Sequence, residues 1–248
     1  MTGAAGAIGG ALAELVARRA PDAHLTLVDR DRAGVEAIAR RLGATPAVWD
    51  FARPGELEAL HGAAVDAHGP LDVLASCAGV MELRSLAATP WGMGSDLLAI
   101  DLVSPLRLMS LAVLAMVARR GGVVINVASM AGLVPLRGAS YYGAAKAGLA
   151  MASEIAHLEL APRGVHVLTV YPGPVASDLE RRARAQVPAT WLARALPTGR
   201  PDELARRMIA AVDSRRARVV YPPLYALAAE ALGVSRYVTS SFSPDPVA

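Results

Sequence analysis

Thr2-Gly3-Ala4-Ala5-Gly6-Ala7-Ile8-Gly9 runs without a break into the helical pattern Ala11-Leu12-Ala13-Glu14-Leu15-Val16, and a short apolar strand at residues 24–29 comes next. Glycines in such a turn let the backbone approach a diphosphate, whose charge is then met by free N–H groups at the helix N-terminus. The alternation continues outward along the chain. Apolar, β-branched runs at 24–29, 44–49, 71–75, 122–128, 165–171 and 218–221 read as strands. Alanine-rich amphipathic stretches at 8–19, 33–41, 56–68, 94–118, 142–161 and 202–213 read as helices. Short apolar strands separated by helices predict an α/β fold, a doubly wound parallel sheet covered on both faces. No linker or internal repeat divides the 248 residues, so 1–248 is read as a single domain. The Ser/Pro-rich residues 235–248 are expected to form a loose tail or an arm on a neighbouring subunit.

Composition narrows the classes of function. The chain is 54% hydrophobic and 19% charged, with ample apolar material for a core. Its net charge of +3 comes from 25 basic and 22 acidic residues that are interspersed, and no arginine run is paired with aromatics, so nucleic acid is not an expected partner. A single cysteine, Cys77, excludes an internal disulfide framework and fits a reducing, cytoplasmic setting. The five histidines show no ligand pairing, and no metal site is expected. The first ten residues lack a basic leader, and the most apolar stretch, 97–118, is interrupted by Asp101, Ser104, Pro105 and Arg107. Neither export nor a membrane span is expected.

Of the 25 basic residues only Lys146 is lysine, and Asn126 is the sole asparagine. In a chain that avoids lysine, a surviving one marks a place where arginine cannot substitute, as where a compact, desolvated ammonium is required. Lys146 lies four residues after Tyr142, on the same helix face, and Ser129 closes the strand at 122–128. A phenol is a poor base at neutral pH, but a neighbouring ammonium favours the phenolate. The plain alternative is a surface lysine beside a packed tyrosine. Asp29 closes the strand after the glycine turn, where a carboxylate can accept bonds from an adenine ribose and repel a 2′-phosphate, which favours NAD over NADP. Arg30 could instead pair with that phosphate, or be an ordinary solvated charge. Asp50, closing the next strand, could bond an adenine amino group or cap the adjoining turn.

These pieces occur in the order of the classical short-chain dehydrogenase/reductase family, which the sequence resembles over essentially its whole length. The matching pieces are the glycine turn, Asp50, Ala78-Gly79, Ser129 and Tyr142 thirteen residues apart, Lys146, and Tyr171-Pro172-Gly173-Pro174-Val175-Ala176-Ser177. The resemblance implies a Rossmann-like fold and interconversion of a secondary alcohol and a ketone by hydride transfer with a nicotinamide cofactor. It implies Tyr142 as general acid/base, Ser129 as the donor to the substrate carbonyl, and Lys146 as pKa perturber and ligand of the nicotinamide ribose. Val175 and Ser177 would hold the nicotinamide carboxamide. The implied dinucleotide site also takes in Gly3, Gly6, Ile8, Gly9, Asp29, Arg30, Asp50, Phe51, Ala78, Gly79, Pro172 and Gly173. Residues 178–200 correspond to the family's substrate flap, where Trp191, Leu192 and Leu196 would offer apolar contacts to a hydrophobic alcohol or ketone. Arg181, Arg182 and Arg184 read either as contacts to an acidic substrate tail or as a solvated helix face. The outer faces of 97–118 and 142–161 are richer in alanine, leucine and methionine than a one-sided helix needs, which predicts a homodimer or homotetramer.

The chain also departs from that pattern. The family's central first strand is missing or truncated ahead of Thr2, which would leave two interior strand edges unpaired. A start displaced from the natural one is expected, with a longer product more stable and active. Asp101 stands at the family's catalytic asparagine and has no amide donor when ionised, so it is carried as a catalytic candidate with its relay open. Ser76-Cys77 replaces two asparagines, and Ser177 a threonine. Gly6 sits one position early, a spacing shared with the extended branch, whose epimerases and dehydratases are one alternative. A catalytically silent dinucleotide-binding module is the other.

Overall fold

The computed structural model describes residues 1–188, 197–242 and 245–246. Trp191, Leu192 and Leu196 lie outside them. The chain runs α1 (Ala7–Arg19), β1 (Thr26–Asp29), α2 (Arg32–Leu42), β2 (Thr45–Val48), α3 (Leu57–His68), β3 (Val73–Ser76), α4 (Trp91–Leu98), α5 (Ser104–Ala118) and β4 (Gly122–Val127). It continues as α6 (Ser140–Leu160), β5 (Val165–Pro172), α7 (Asp178–Ala185), α8 (Pro201–Asp213), β6 (Arg218–Tyr221), α9 (Leu224–Glu230) and α10 (Leu232–Phe242). All six expected strands form, and every pairing is parallel.

The sheet consists of β1-β2 and β3-β4-β5-β6, and Thr2 joins the two parts. It bridges Val28 on one side and Ser76 on the other, both parallel, so the order is β2-β1-Thr2-β3-β4-β5-β6. Thr2 N–H donates to the Ala75 carbonyl at 2.9 Å, and Val28 N–H donates to the Met1 carbonyl at 2.9 Å. The interior edges expected to be bare are therefore paired at this level. The Thr2 hydroxyl also accepts from Cys77 and Ala78 N–H, each at 3.2 Å, which fixes the chain where it leaves β3.

Period-two alternation sorts the core. Val124, Val165 and Val167 pack with Leu60, Leu108, Met109 and Met116 under α3, α5 and α6. Ile125, Leu168 and Val170 turn to the other face and meet Leu12, Leu204 and Met208 of α1 and α8. Local chemistry sets the ends. Asp31 caps α2 by accepting from Gly34 N–H, and Gly43 ends it at φ +66°, a left-handed conformation that glycine adopts without strain.

Two elements differ from expectation. The helix read over 94–118 starts at Trp91 and is interrupted by a wide π-type turn, Ala99–Val103, between α4 and α5. By length and composition 91–118 could cross a bilayer, yet Leu97, Ile100, Leu108, Met109, Ala112 and Met116 are buried in the core. The C-terminal stretch is no loose tail where it is described. It is helical through Phe242, and Asp245 accepts from Arg137 at 3.0 Å, so it docks on the chain's own loop before α6.

Candidate active site

The C-terminal edge of the sheet, where β1 and β3 part around Thr2, opens a crevice of about 300 Å³. Gly3 holds φ +65°, and a Cβ there would lie 2.6 Å from Ala78 N, so only glycine fits against the end of β3. A Cβ at Gly9 would lie 2.2 Å from the Gly3 carbonyl oxygen, so the turn closes on α1 only without one. No side chain caps α1. Its first N–H groups are therefore left for an anion, and the residues present fit a dinucleotide diphosphate.

The structure gathers Gly3, Gly6, Asp29, Arg30, Asp50, Phe51, Ala78 and Gly79 around this crevice, as the sequence implied. Ile8 and Gly9 lie in the first turn of α1 behind it. Asp29 does more than face a ligand. One carboxylate oxygen accepts from Ala5 N–H at 3.0 Å and the other from Asp31 N–H at 3.1 Å, so it braces the glycine turn itself. Asp50 caps its turn by accepting from Ala52 N–H at 3.0 Å, and it also lines the crevice.

Pro172 ends β5, and the N–H of Gly173 just after it donates to the Tyr221 carbonyl. Val175 is buried and bridges Gly199, whereas Ser177 caps α7 by accepting from Glu180 N–H at 3.1 Å. Ser177 lines an adjoining cavity, between the glycine turn and α7, rather than the crevice. Arg182, read from the sequence as a contact to an acidic substrate tail or a solvated charge, lies at the crevice instead. It lines the crevice opposite the glycine turn, while Arg181 and Arg184 pair with Asp178 and Glu180. No sequence signal singles it out, because Asp178 lies at i−4 from Arg182 just as Glu180 does from Arg184.

Ser129, Tyr142 and Lys146 are brought together and buried. Ser129 leaves β4 and accepts from Ala131 N–H at 3.1 Å, so it sits at the head of a short turn that packs on α6. Gly132 permits that contact, because a Cβ there would lie 2.8 Å from the Lys146 and Ala147 backbone. Lys146 Nζ donates to the Val127 carbonyl at 3.1 Å and lies 5.9 Å from the Tyr142 ring centre. Asp101, carried by the wide turn, is wholly buried, with Oδ1 3.6 Å from Lys146 Nζ and accepting from Val80 N–H at 3.0 Å. Gly79 forms the wall between this group and the crevice, since its Cβ would lie 2.9 Å from Asp101 Oδ1 and 3.3 Å from Lys146 Nζ.

The electrostatics of the phenol run against the pull toward phenolate expected from Lys146. Burial pushes Tyr142 above the ordinary phenol range, and the Asp101 carboxylate pushes the same way. A hydrogen bond with Ser129 opposes both. Burial likewise raises Asp101 from 3.8 to about 6, against the pull of Lys146. Cys77 is a half-buried thiol raised to about 12 by desolvation, so it is not a nucleophile at neutral pH.

A doubly wound sheet with a glycine crevice at its carboxyl edge and a buried tyrosine and lysine beside it is the frame of a dinucleotide-linked oxidoreductase. The family model described as short chain dehydrogenase matches residues 1–188. D-threitol dehydrogenase of Mycolicibacterium smegmatis is 32% identical over 216 residues, 83% of this chain and 81% of that protein. Galactitol 2-dehydrogenase (L-tagatose-forming) of Cereibacter sphaeroides is 32% identical over 214 residues, 83% of each chain. Among solved structures, a short-chain dehydrogenase from Sphingobium yanoikuyae in complex with NADPH superposes with a TM-score of 0.81 at 26% identity, covering 98% of this chain and 94% of the other. The chain belongs to the classical short-chain dehydrogenase/reductase family and is an NAD(P)-dependent oxidoreductase acting on alcohols or their carbonyl counterparts.

Proposed function

We propose that the protein interconverts a secondary alcohol and a ketone, with Tyr142 as general acid/base, Ser129 as donor to the substrate oxygen and Lys146 holding the nicotinamide ribose. The observation that carries this reading is the wall at Gly79, which puts Lys146 Nζ at the edge of the dinucleotide crevice and Tyr142 on the same helix face. When bound, the dinucleotide supplies or accepts the hydride. The chain's own part is to bind, orient and move a proton. Backbone N–H groups of the glycine turn with Ile8 and Gly9, and Arg182 across from them, take the diphosphate. Asp29 takes the adenosine ribose, which favours NAD, with Arg30 placed to accommodate NADP. Asp50 and Phe51 face the adenine, Ala78 and Gly79 the ribose, and Pro172, Gly173, Val175 and Ser177 the nicotinamide carboxamide.

Tyr142 Oη gives its proton to a carbonyl oxygen in reduction and takes one from the hydroxyl in oxidation, and Ser129 Oγ donates to that oxygen as charge develops on it. The substrate is a small molecule. Val80, Met81 and Leu83 pack beside Tyr142 and support an apolar one. A single free cysteine accords with a cytoplasmic enzyme. Leu114, Met151, Ile155 and Leu158 leave an apolar stripe exposed on α5 and α6, and a second copy of the chain covers it in a homodimer or homotetramer.

The test is a panel of polyols, apolar secondary alcohols and ketones with NAD(H) and NADP(H), run on wild type and Tyr142→Phe. Turnover with at least one pair is expected to fall by about 100-fold or more in the variant, with cofactor affinity retained. Undiminished turnover in Tyr142→Phe overturns the reading.

A further inference from the structure

We propose that Asp101 is a positioning residue that governs the proton on Tyr142: paired with Lys146, its carboxylate keeps the phenol in the acid form, so the site delivers protons to carbonyl oxygens over a wider pH range than it withdraws them from alcohols. The inference rests on the functional reading above and concerns the regulation of that same site.

Three observations carry it. Asp101 has no exposed surface, and Oδ2 has no hydrogen-bond partner among the described residues, so neighbouring protein groups do not spread its charge at that oxygen. Lys146 Nζ is drawn to Asp101 Oδ1 and to the Val127 carbonyl, so the ammonium that would favour a phenolate is already countered by an anion. The carboxylate sits there because the wide turn Ala99–Val103 aims residue 101 inward between α4 and α5, and because Gly79 leaves room for it.

The charged and titratable groups around the pair are few. From α6 come Lys146 and Tyr142, and from the chain after β3 comes the Cys77 thiol, which is neutral at physiological pH. From α7 comes Glu180, which acts on the phenol with the same sign as Asp101. Glu56, on the short turn before α3, is exposed to solvent. Lys146 is the cation that acts on Asp101.

The consequence for the reaction is one of direction and pH. In reduction, the reduced nicotinamide dinucleotide, when bound, would supply the hydride to the carbonyl carbon. The Tyr142 O–H bond breaks as the O–H bond of the alcohol forms, and the resulting phenolate recovers its proton from solvent. Oxidation runs the same bonds in reverse and needs the phenolate first. A carboxylate beside Lys146 leaves the equilibrium untouched, but moves the pH at which each direction becomes fast upward.

Ultraviolet difference titration of the ligand-free protein tests this directly, with Tyr142→Phe subtracted to isolate one of the six tyrosines. In wild type no Tyr142 phenolate should appear at pH ~10, where a free phenol is half ionised; a midpoint below that value overturns the proposal without any variant at residue 101. Asp101→Asn and Asp101→Ser are each expected to lower the midpoint by about one unit. The pH at which alcohol oxidation is half-maximal should fall with it. Unmoved midpoints in both variants, or kcat reduced equally in both directions at every pH, make Asp101 a structural residue and overturn it. If instead Tyr142→Phe keeps full turnover, the functional reading fails while the titration of the phenol still answers for Asp101.

Discussion

The Asn126 side-chain amide donates to the Ser153 hydroxyl at 2.9 Å, tying the strand that leads to Ser129 to the helix that carries Tyr142 and Lys146. Ser153 in turn donates to the Leu149 carbonyl at 2.6 Å. The only asparagine of the chain is thus a strut between the two halves of the site, wholly buried. Asn126→Ala is expected to lower stability by about 2 kcal/mol, because a buried amide and its bond are lost together. A shift of the urea midpoint at constant slope reads it. An unshifted midpoint would show that the strut carries no load.

Lys146→Arg tests why this lysine survives among 24 arginines. Its Nζ is confined by Gly79, Asp101 and the Val127 carbonyl, and a planar guanidinium needs a wider fork. Turnover should drop by about 100-fold, with weaker dinucleotide binding read by fluorescence titration. Wild-type kinetics in this variant would leave the lysine's persistence unexplained by the site.

Asp29→Ala removes both a ribose acceptor and the brace on Ala5 and Asp31 N–H. NAD should bind more weakly and NADP relatively better, while Asp29→Asn, which keeps an acceptor oxygen, should lose less. Dissociation constants for both dinucleotides decide it, and an unchanged ratio in the alanine variant assigns the ribose elsewhere. Arg182→Ala should weaken both dinucleotides alike, since a diphosphate contact does not distinguish them.

Glu154 supplies a prediction about acid. It accepts two bonds from Arg218 and one from the Tyr171 hydroxyl, each at 2.5 Å, pinning α6 to β5 and β6. Burial raises its carboxyl, but the bonds from Arg218 and Tyr171 outweigh that and hold it below the usual range. A carboxyl depressed in the folded state stabilises above its unfolded value of ~4.3 and loses that contribution as pH falls through the folded value. Glu154→Gln should cost about 1 kcal/mol at neutral pH, given a half-exposed partner, and the deficit should vanish in the acid range. Thermal midpoints of the two proteins across pH 3 to 7 would show the curves converge; a constant gap would point to packing instead.

Much of this was legible in the chain. The strands announced themselves because both sheet faces are buried, so each is a short apolar run such as 122–128. The glycine turn and the Tyr142-Lys146 spacing were legible because steric fit and helix geometry act over a few residues. The features that stayed hidden depend on contacts between distant segments. Nothing in Ala99–Val103 distinguishes a wide turn from ordinary helix, since apolar side chains suit both. That Thr2 would bridge two strands, or that 232–242 would be helix, depends on the segments lying alongside. The raised phenol was misjudged for the same reason, because the distance from Asp101 to Lys146 spans 45 positions of sequence and is set by packing.

The wide turn has a bearing on how such a site is retuned. Sequence length, not only side-chain identity, decides where residue 101 points, because one surplus residue per turn rotates the upstream helix by about 100° relative to the downstream one. Excising a single alanine or leucine there would restore a regular helix, keep every named side chain in the sequence, and swing the carboxylate away from its cation. By the same reasoning a three-nucleotide deletion would move the pH dependence of proton withdrawal while every motif stayed intact.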